Sequence, residues 1–117
     1  MKSILINPFD RTIKVVEYDG GLDNMYKLIG CGTISAPIEF DNRDTMFADD
    51  EGLFNPDNSK GSIIMKGWSY PIVGKVLVCG CDEEGESVDV KTPIEFFERE
   101  IKWVDELTTT RWMNQFN

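Results

Sequence analysis

The stretch from Val73 to Cys81, Val-Gly-Lys-Val-Leu-Val-Cys-Gly-Cys, is the most apolar in the chain, with turn-forming residues on both sides. Its β-branched residues and short length make it a strand. A strand this apolar belongs at the centre of a sheet, so the other elements are read around it. Lys2–Asn7, with Ile4, Leu5 and Ile6, is a buried strand, and Ile13–Tyr18 returns as its hairpin partner across Pro8-Phe9-Asp10-Arg11. Leu22, Met25, Leu28 and Ile29 mark one face of a two-turn helix, which Gly30 closes as a C′ glycine. Thr33–Phe40 is strand-like, and Pro37, which has no N–H to donate, places it at a sheet edge.

Thr45–Ala48 is a short strand that enters the acidic turn Asp49-Asp50-Glu51-Gly52. Gly52 is expected at positive φ, with Leu53-Phe54 pairing back. Asn55–Lys60 reads as a mobile polar loop, Ser62–Met65 as a strand and Gly67–Pro71 as an aromatic loop. Asp82–Gly85 is a second acidic turn, returning through Val88 and Val90. Thr92-Pro93-Ile94-Glu95 has the pattern of a capping box, with threonine at N-cap, proline at N1 and glutamate at N3. The helix it opens turns Ile94, Phe97, Ile101 and Val104 inward; the alternative ends it near Glu100 and makes Ile101–Val104 a final strand. Three threonines argue against helix continuing into Thr108–Asn117.

These elements predict an α+β fold: an antiparallel-rich sheet of roughly five to seven strands with two helices packed on one face. Ile4, Ile63, Val76, Val78 and Phe97 are the expected core. Residues 1–106 are read as a single domain and 107–117 as a C-terminal tail. At 13.3 kDa the folded surface should be about 6,400 Å², which leaves enough buried area for one core without a disulfide or metal staple.

Twenty-one acids against twelve bases give a net charge of −9, which opposes a phosphate-driven nucleic-acid binder. No apolar run is long enough to span a bilayer, and the N-terminal stretch is too short for a signal peptide, so a cytoplasmic location is expected. The chain has no histidine, which removes His-dependent triads and His-ligated metals. Cys31, Cys79 and Cys81 are an odd number of cysteines and are expected as reduced thiols. A thiolate metal site would need Asp82 as a fourth ligand and lacks Cys-x-x-Cys spacing.

The series Leu22…Leu28-Ile29-Gly30, Phe47-Ala48-Asp49-Asp50-Glu51-Gly52 and Pro71-Ile72-Val73-Gly74-Lys75-Val76-Leu77-Val78-Cys79-Gly80 resembles a small domain family of unknown function common in bacteriophages and mobile elements. The resemblance covers residues 1 to about 105 and rests on glycines and apolar positions, which specify fold more than chemistry. It implies an α+β fold and a phage or mobile-element origin, and it transfers no catalytic residue.

Neither acidic turn has the ligand spacing of a Ca²⁺ loop, and in a chain with this many acids paired carboxylates arise by chance. Neither Gly30-Cys31-Gly32 nor Gly80-Cys81 follows a phosphate-loop pattern. No constellation supports an enzyme, no cofactor is expected, and two binding readings remain. In the first, a phage accessory protein presents an acidic surface (Asp49, Asp50, Glu51, Asp82, Glu83, Glu84 and Glu86) to a host or defence protein. It requires these acids to share one side of the fold. In the second, Lys66, Trp68, Tyr70 and Lys75 stack a nucleotide-like ring and neutralise its phosphate. It requires a concavity with an aromatic face and at least two cations; the bland reading has Trp68 or Tyr70 closing one end of the core. Neither reading involves a membrane, and self-association is left open.

Overall fold

The computed structural model describes residues 1–116. The N-terminal hairpin forms as expected, β1 (Lys2–Asn7) pairing with β2 (Thr12–Glu17) in continuous antiparallel register from Lys2↔Glu17 to Asn7↔Thr12. Helix α1 (Leu22–Ile29) follows and stops where Gly30 takes the left-handed conformation at φ 79°. Strands β3 (Ile34–Glu39) and β4 (Thr45–Asp49) form a second hairpin, β5 (Ser62–Met65) and β6 (Ile72–Val73) a third pair, and β7 (Val76–Cys81) turns back into β8 (Ser87–Val88). Helix α2 (Ile94–Glu100), strand β9 (Ile101–Val104) and helix α3 (Glu106–Asn114) complete the chain.

The α+β class holds. A six-stranded antiparallel sheet has the order β2-β1-β7-β4-β3 with β8 attached to β7, and a smaller sheet has the order β6-β5-β9. The apolar run is central, between β1 and β4. Pro37 does mark an edge: β3 is terminal, and its pairing with β4 shifts register between Ser35 and Ile38.

The helices are not together on one face. Ile4, Ile6, Val76 and Val78 point to the side that receives Phe97 of α2 and Ile63 and Met65 of the small sheet. Leu77 and Cys79 point the other way, against Tyr18 and the Met25 and Ile29 of α1. Side chains alternate along a strand, and Val76–Cys79 is apolar at every position, so both faces need a cover. Ile4, Ile63, Val76, Val78 and Phe97 are each no more than 1% exposed, as expected for the core.

Four local expectations change. Gly52 is not at positive φ; it lies where a Cβ would come within 3.0 Å of Val73, and Gly52–Phe54 form a 3₁₀ turn instead of pairing back. Asn55–Lys60, read as an open loop, holds a second 3₁₀ segment over Pro56–Lys60 with Asn58 buried and donating to the Gly52 carbonyl. Helix α2 starts beside Pro93 but without a capping box: Pro93 is its N-cap residue and no side chain caps it. The Thr92 hydroxyl donates to Asp44 instead. Finally, Ile101–Val104 is the strand of the alternative reading, paired along its length with β5. Ile101, Trp103 and Val104 suit a pleated surface better than a third helical turn.

The segment after Asp105 is a separate helix. The Asp105 carboxylate caps α3 by accepting from the Thr108 N–H at 2.7 Å. Thr109 and Met113 are buried beneath it, with Thr109 against Ser62 of β5. Among the described residues no helix is long and apolar enough to cross a membrane.

Candidate ligand cleft and aromatic groove

The chain reverses after β5 at Lys66-Gly67-Trp68, with Gly67 at φ 91° and the Trp68 N–H donating to the Met65 carbonyl. The Lys66 N–H donates to the Glu100 carbonyl, which ties this turn to the junction of α2 and β9. Because β9 pairs Ile64 with Lys102 and Met65 with Ile101, the pairing brings two more cations to the turn. The result is a cleft of about 430 Å³ between Ile64–Trp68 and Arg99–Lys102, within the size range of small-molecule sites. Lys66, Arg99 and Lys102 line this cleft together with Trp68, which is 48% exposed, and Glu100 supplies one opposing charge. Arg99 lies over the Phe96 ring, 5.6 Å from its centroid, with its Nε 3.2 Å from Glu100.

The four residues of the nucleotide reading are therefore divided. Lys66 and Trp68 stay together in this cleft. Tyr70 leaves it to stack against Trp112 at 5.7 Å between ring centroids, and Lys75 sits 6.0 Å from the Phe9 ring. Neither Trp68 nor Tyr70 closes the core, since Tyr70 is 66% exposed. Arg99 and Lys102 are absent from the sequence reading because a helix through Val104 separates them from Lys66; Ile101, Trp103 and Val104 signal a strand there, but only its pairing with β5 sets Lys102 opposite Ile64.

Tyr70 and Trp112 help line a second concavity of about 310 Å³, together with Ser35 and Pro37 of β3, Pro71, Asp49 and Asp50. The Trp112 indole N–H is buried and has no acceptor among the described residues.

The acids do not share one side. Strand β4 runs antiparallel to β7, pairing Thr45 with Cys79 and Phe47 with Leu77. Asp49, Asp50 and Glu51 therefore leave β4 near the start of β7, while Asp82, Glu83, Glu84 and Glu86 follow its end, about 20 Å away along the strand. Two of these carboxylates are occupied locally. Asp49 accepts from the Glu51 N–H and from the amides of Asn55 and Asn58, and Asp82 accepts from the N–H groups of Glu84 and Glu86.

Cys31, Cys79 and Cys81 are free thiols. Burial pushes Cys79 up to about 12, against a smaller opposing pull from the Ser3 hydroxyl. Cys31 is also raised, first by burial and then by the charge of Asp49. A raised thiol is a poor nucleophile at neutral pH. Among the described residues, no group of three or more Cys, Asp or Glu is placed to hold a metal ion.

A family model described as a domain of unknown function (DUF3846) matches residues 1–102, and the chain belongs to that family. No curated protein and no solved structure matches the chain.

Proposed function

We propose that this DUF3846 member acts by binding and not by catalysis, and that the Lys66–Trp68 cleft takes a small anionic molecule with a planar ring, of the nucleotide class. One observation carries this reading: in a chain of net charge −9, three cations and one exposed tryptophan line the same concave site. The exposed ring offers a stacking face, and Lys66, Arg99 and Lys102 supply donors and positive charge for a phosphate. In the flanking pair Glu100 is largely covered, but the Arg99 side chain is 68% exposed and within reach of a phosphate in the cleft. Burial raises the Cys31 and Cys79 thiols, so neither of these two serves as an activated nucleophile at neutral pH. The resemblance to phage and mobile-element domains supports an accessory role in a host cytoplasm, with no direct binding to nucleic acid. An acidic docking surface for a host protein is the weaker reading, because its two acidic turns sit at opposite ends of β7.

Thermal-shift and calorimetric titration with mono-, di- and triphosphate nucleotides and their parent nucleosides tests the proposal. Phosphorylated ligands should raise the midpoint and nucleosides should not. Trp68→Ala and the double substitution Lys66→Ala/Lys102→Ala should each abolish the shift. No shift with any nucleotide, or one that survives both variants, overturns it.

A further inference from the structure

We infer that the groove between Tyr70–Trp112 and the β3 edge docks an extended, proline-bearing segment of a partner protein that carries an arginine or lysine at one end. Three independent features of the groove point to this occupant. Its walls are two aromatic rings and two prolines, Tyr70, Trp112, Pro37 and Pro71, flat rigid surfaces of the kind that receive polyproline II ridges. At the acidic end, the Asp49 carboxylate is already taken by Asn55, Asn58 and the Glu51 N–H, whereas Asp50 is exposed beside it and accepts no hydrogen bond among the described residues. A cation arriving there meets an unsatisfied carboxylate with a second negative charge behind it. The third feature is the edge itself. Pro37 and the register shift at Ser35/Ile38 deny an incoming strand a continuous ladder, so the segment lies on side chains and does not extend the sheet.

Tyr70 is 66% exposed although it stacks on Trp112, so much apolar ring surface is available to a ligand. The Trp112 indole N–H lacks an acceptor among the described residues, and a docked backbone carbonyl supplies one after a small rotation of the ring. This site shares none of its residues with the Lys66–Trp68 cleft, so the two readings stand or fall separately.

The test uses the full chain and three capped synthetic peptides of about a dozen residues. One has two Pro-x-x-Pro turns followed by two arginines; the second replaces the arginines with glutamates, and the third replaces the prolines with alanines. Binding is read from the Trp112 indole resonance, assigned through Trp112→Phe, and by calorimetry. The arginine peptide should move that resonance and bind with Kd of about 10–100 µM, and the other two should bind at least about tenfold more weakly. Tyr70→Ala should weaken binding at least about tenfold with the unfolding midpoint unchanged, and Asp50→Asn should weaken only the arginine peptide. Trp68→Ala should leave the affinity as it is. The inference is overturned if the arginine peptide fails to bind at millimolar concentration, if the three peptides bind alike, if Tyr70→Ala has no effect, or if Trp68→Ala removes the binding. Sedimentation showing that the indole shift accompanies dimerisation of the chain overturns it as well.

Discussion

Thr92 and Asp44 are joined twice: the Thr92 hydroxyl donates to Asp44 Oδ2 at 2.6 Å, and the Thr92 N–H donates to the same oxygen at 2.7 Å. The Lys91 N–H reaches both Asp44 oxygens at 3.1 Å, and the Asn42 amide approaches Oδ2 at 3.4 Å. Asp44 has no exposed surface, and among the described residues it pairs with Lys91, whose Nζ stands 3.9 Å away. A carboxylate removed from water is tolerated when donors converge on it. Here they join the β3–β4 turn to the residues that lead into α2, forty-eight positions further on.

Asp44→Ala should therefore be among the most damaging single substitutions outside the apolar core. It strands the N–H groups of Lys91 and Thr92 and frees the approach to α2, at an expected cost of at least about 3 kcal/mol. Asp44→Asn keeps one oxygen for Thr92 and should cost less. Chemical denaturation with matched m-values measures both; an Asp44→Ala midpoint equal to the parent's would show that solvent replaces the carboxylate freely.

Thr92→Ala removes one hydrogen bond to a charged acceptor, worth about 1.5–3 kcal/mol, while Thr92→Ser should retain most of it. Glu95→Ala should change little, because no side chain caps α2. This triplet separates the buried anchor from a capping box. In a capping box Glu95 would matter about as much as Thr92, and serine would serve equally in either case.

How far the fold could be read from sequence depends on which residues act locally. The hairpin β1–β2, the Gly30 stop and the edge position of β3 follow from neighbours within a few residues, and each formed as read. Thr92-Pro93-Ile94-Glu95 has a perfectly local motif that loses to a distant partner: a free threonine hydroxyl gains more from a buried carboxylate than from an amide at a helix start. Lys66 and Trp68 were legible as candidates because only Gly67 separates them. Arg99 and Lys102 join them only through β5–β9 pairing, a contact no local pattern encodes. The two-sided cover of the sheet was present in Val76–Cys79, whose apolar residues fill both parities.

Gly74→Ala should be strongly destabilising, and for two reasons at once. Gly74 sits at φ 82°, which side chains rarely adopt, and a Cβ there would stand 2.7 Å from Asn58 Oδ1. Asn58 is itself buried and holds the Gly52 carbonyl, so it has little room to retreat. Gly85→Ala is the control: its φ is 83°, but nothing lies within 4 Å of its added Cβ. It should show the backbone penalty alone, about 1 kcal/mol, and Gly74→Ala should exceed it clearly. Equal losses would mean that Asn58 moves aside.

Thr109→Val tests how α3 is held to the small sheet. The Thr109 hydroxyl donates to the Asp105 carbonyl at 2.7 Å, which uses its single proton. The 2.8 Å contact with Ser62 must then run from Ser62 to Thr109. Valine keeps the shape but leaves the buried Ser62 hydroxyl without an acceptor, an expected cost of about 1–3 kcal/mol. The double variant Thr109→Val/Ser62→Ala should recover part of it, because both polar partners are then gone. A double variant no more stable than Thr109→Val would place the loss in α3 itself.

The alkaline limb of the stability curve should report Cys79. In the unfolded chain a thiol titrates near its ordinary value of 9.0, whereas burial holds the native thiol protonated to about 12. Between those values the folded state keeps a proton that the unfolded state has lost. Stability from this group is therefore complete below about pH 9 and falls as pH rises, by up to about 1.4 kcal/mol per pH unit. Tyr18, raised chiefly by burial, acts in the same direction above its ordinary value of 10.0. Cys31, raised by burial and by Asp49, acts in the same direction from about pH 9, so Cys79→Ala should reduce the slope between about pH 9 and 10 without abolishing it, although it lowers stability at neutral pH by opening a small cavity. Cys79 should also be the last of the three thiols to react with a disulfide reagent at pH 8, since only its thiolate is nucleophilic and its side chain is buried. If Cys79 reacts first, or if the slope is unchanged in Cys79→Ala, the thiol is not held protonated by the core between Leu77 and Tyr18.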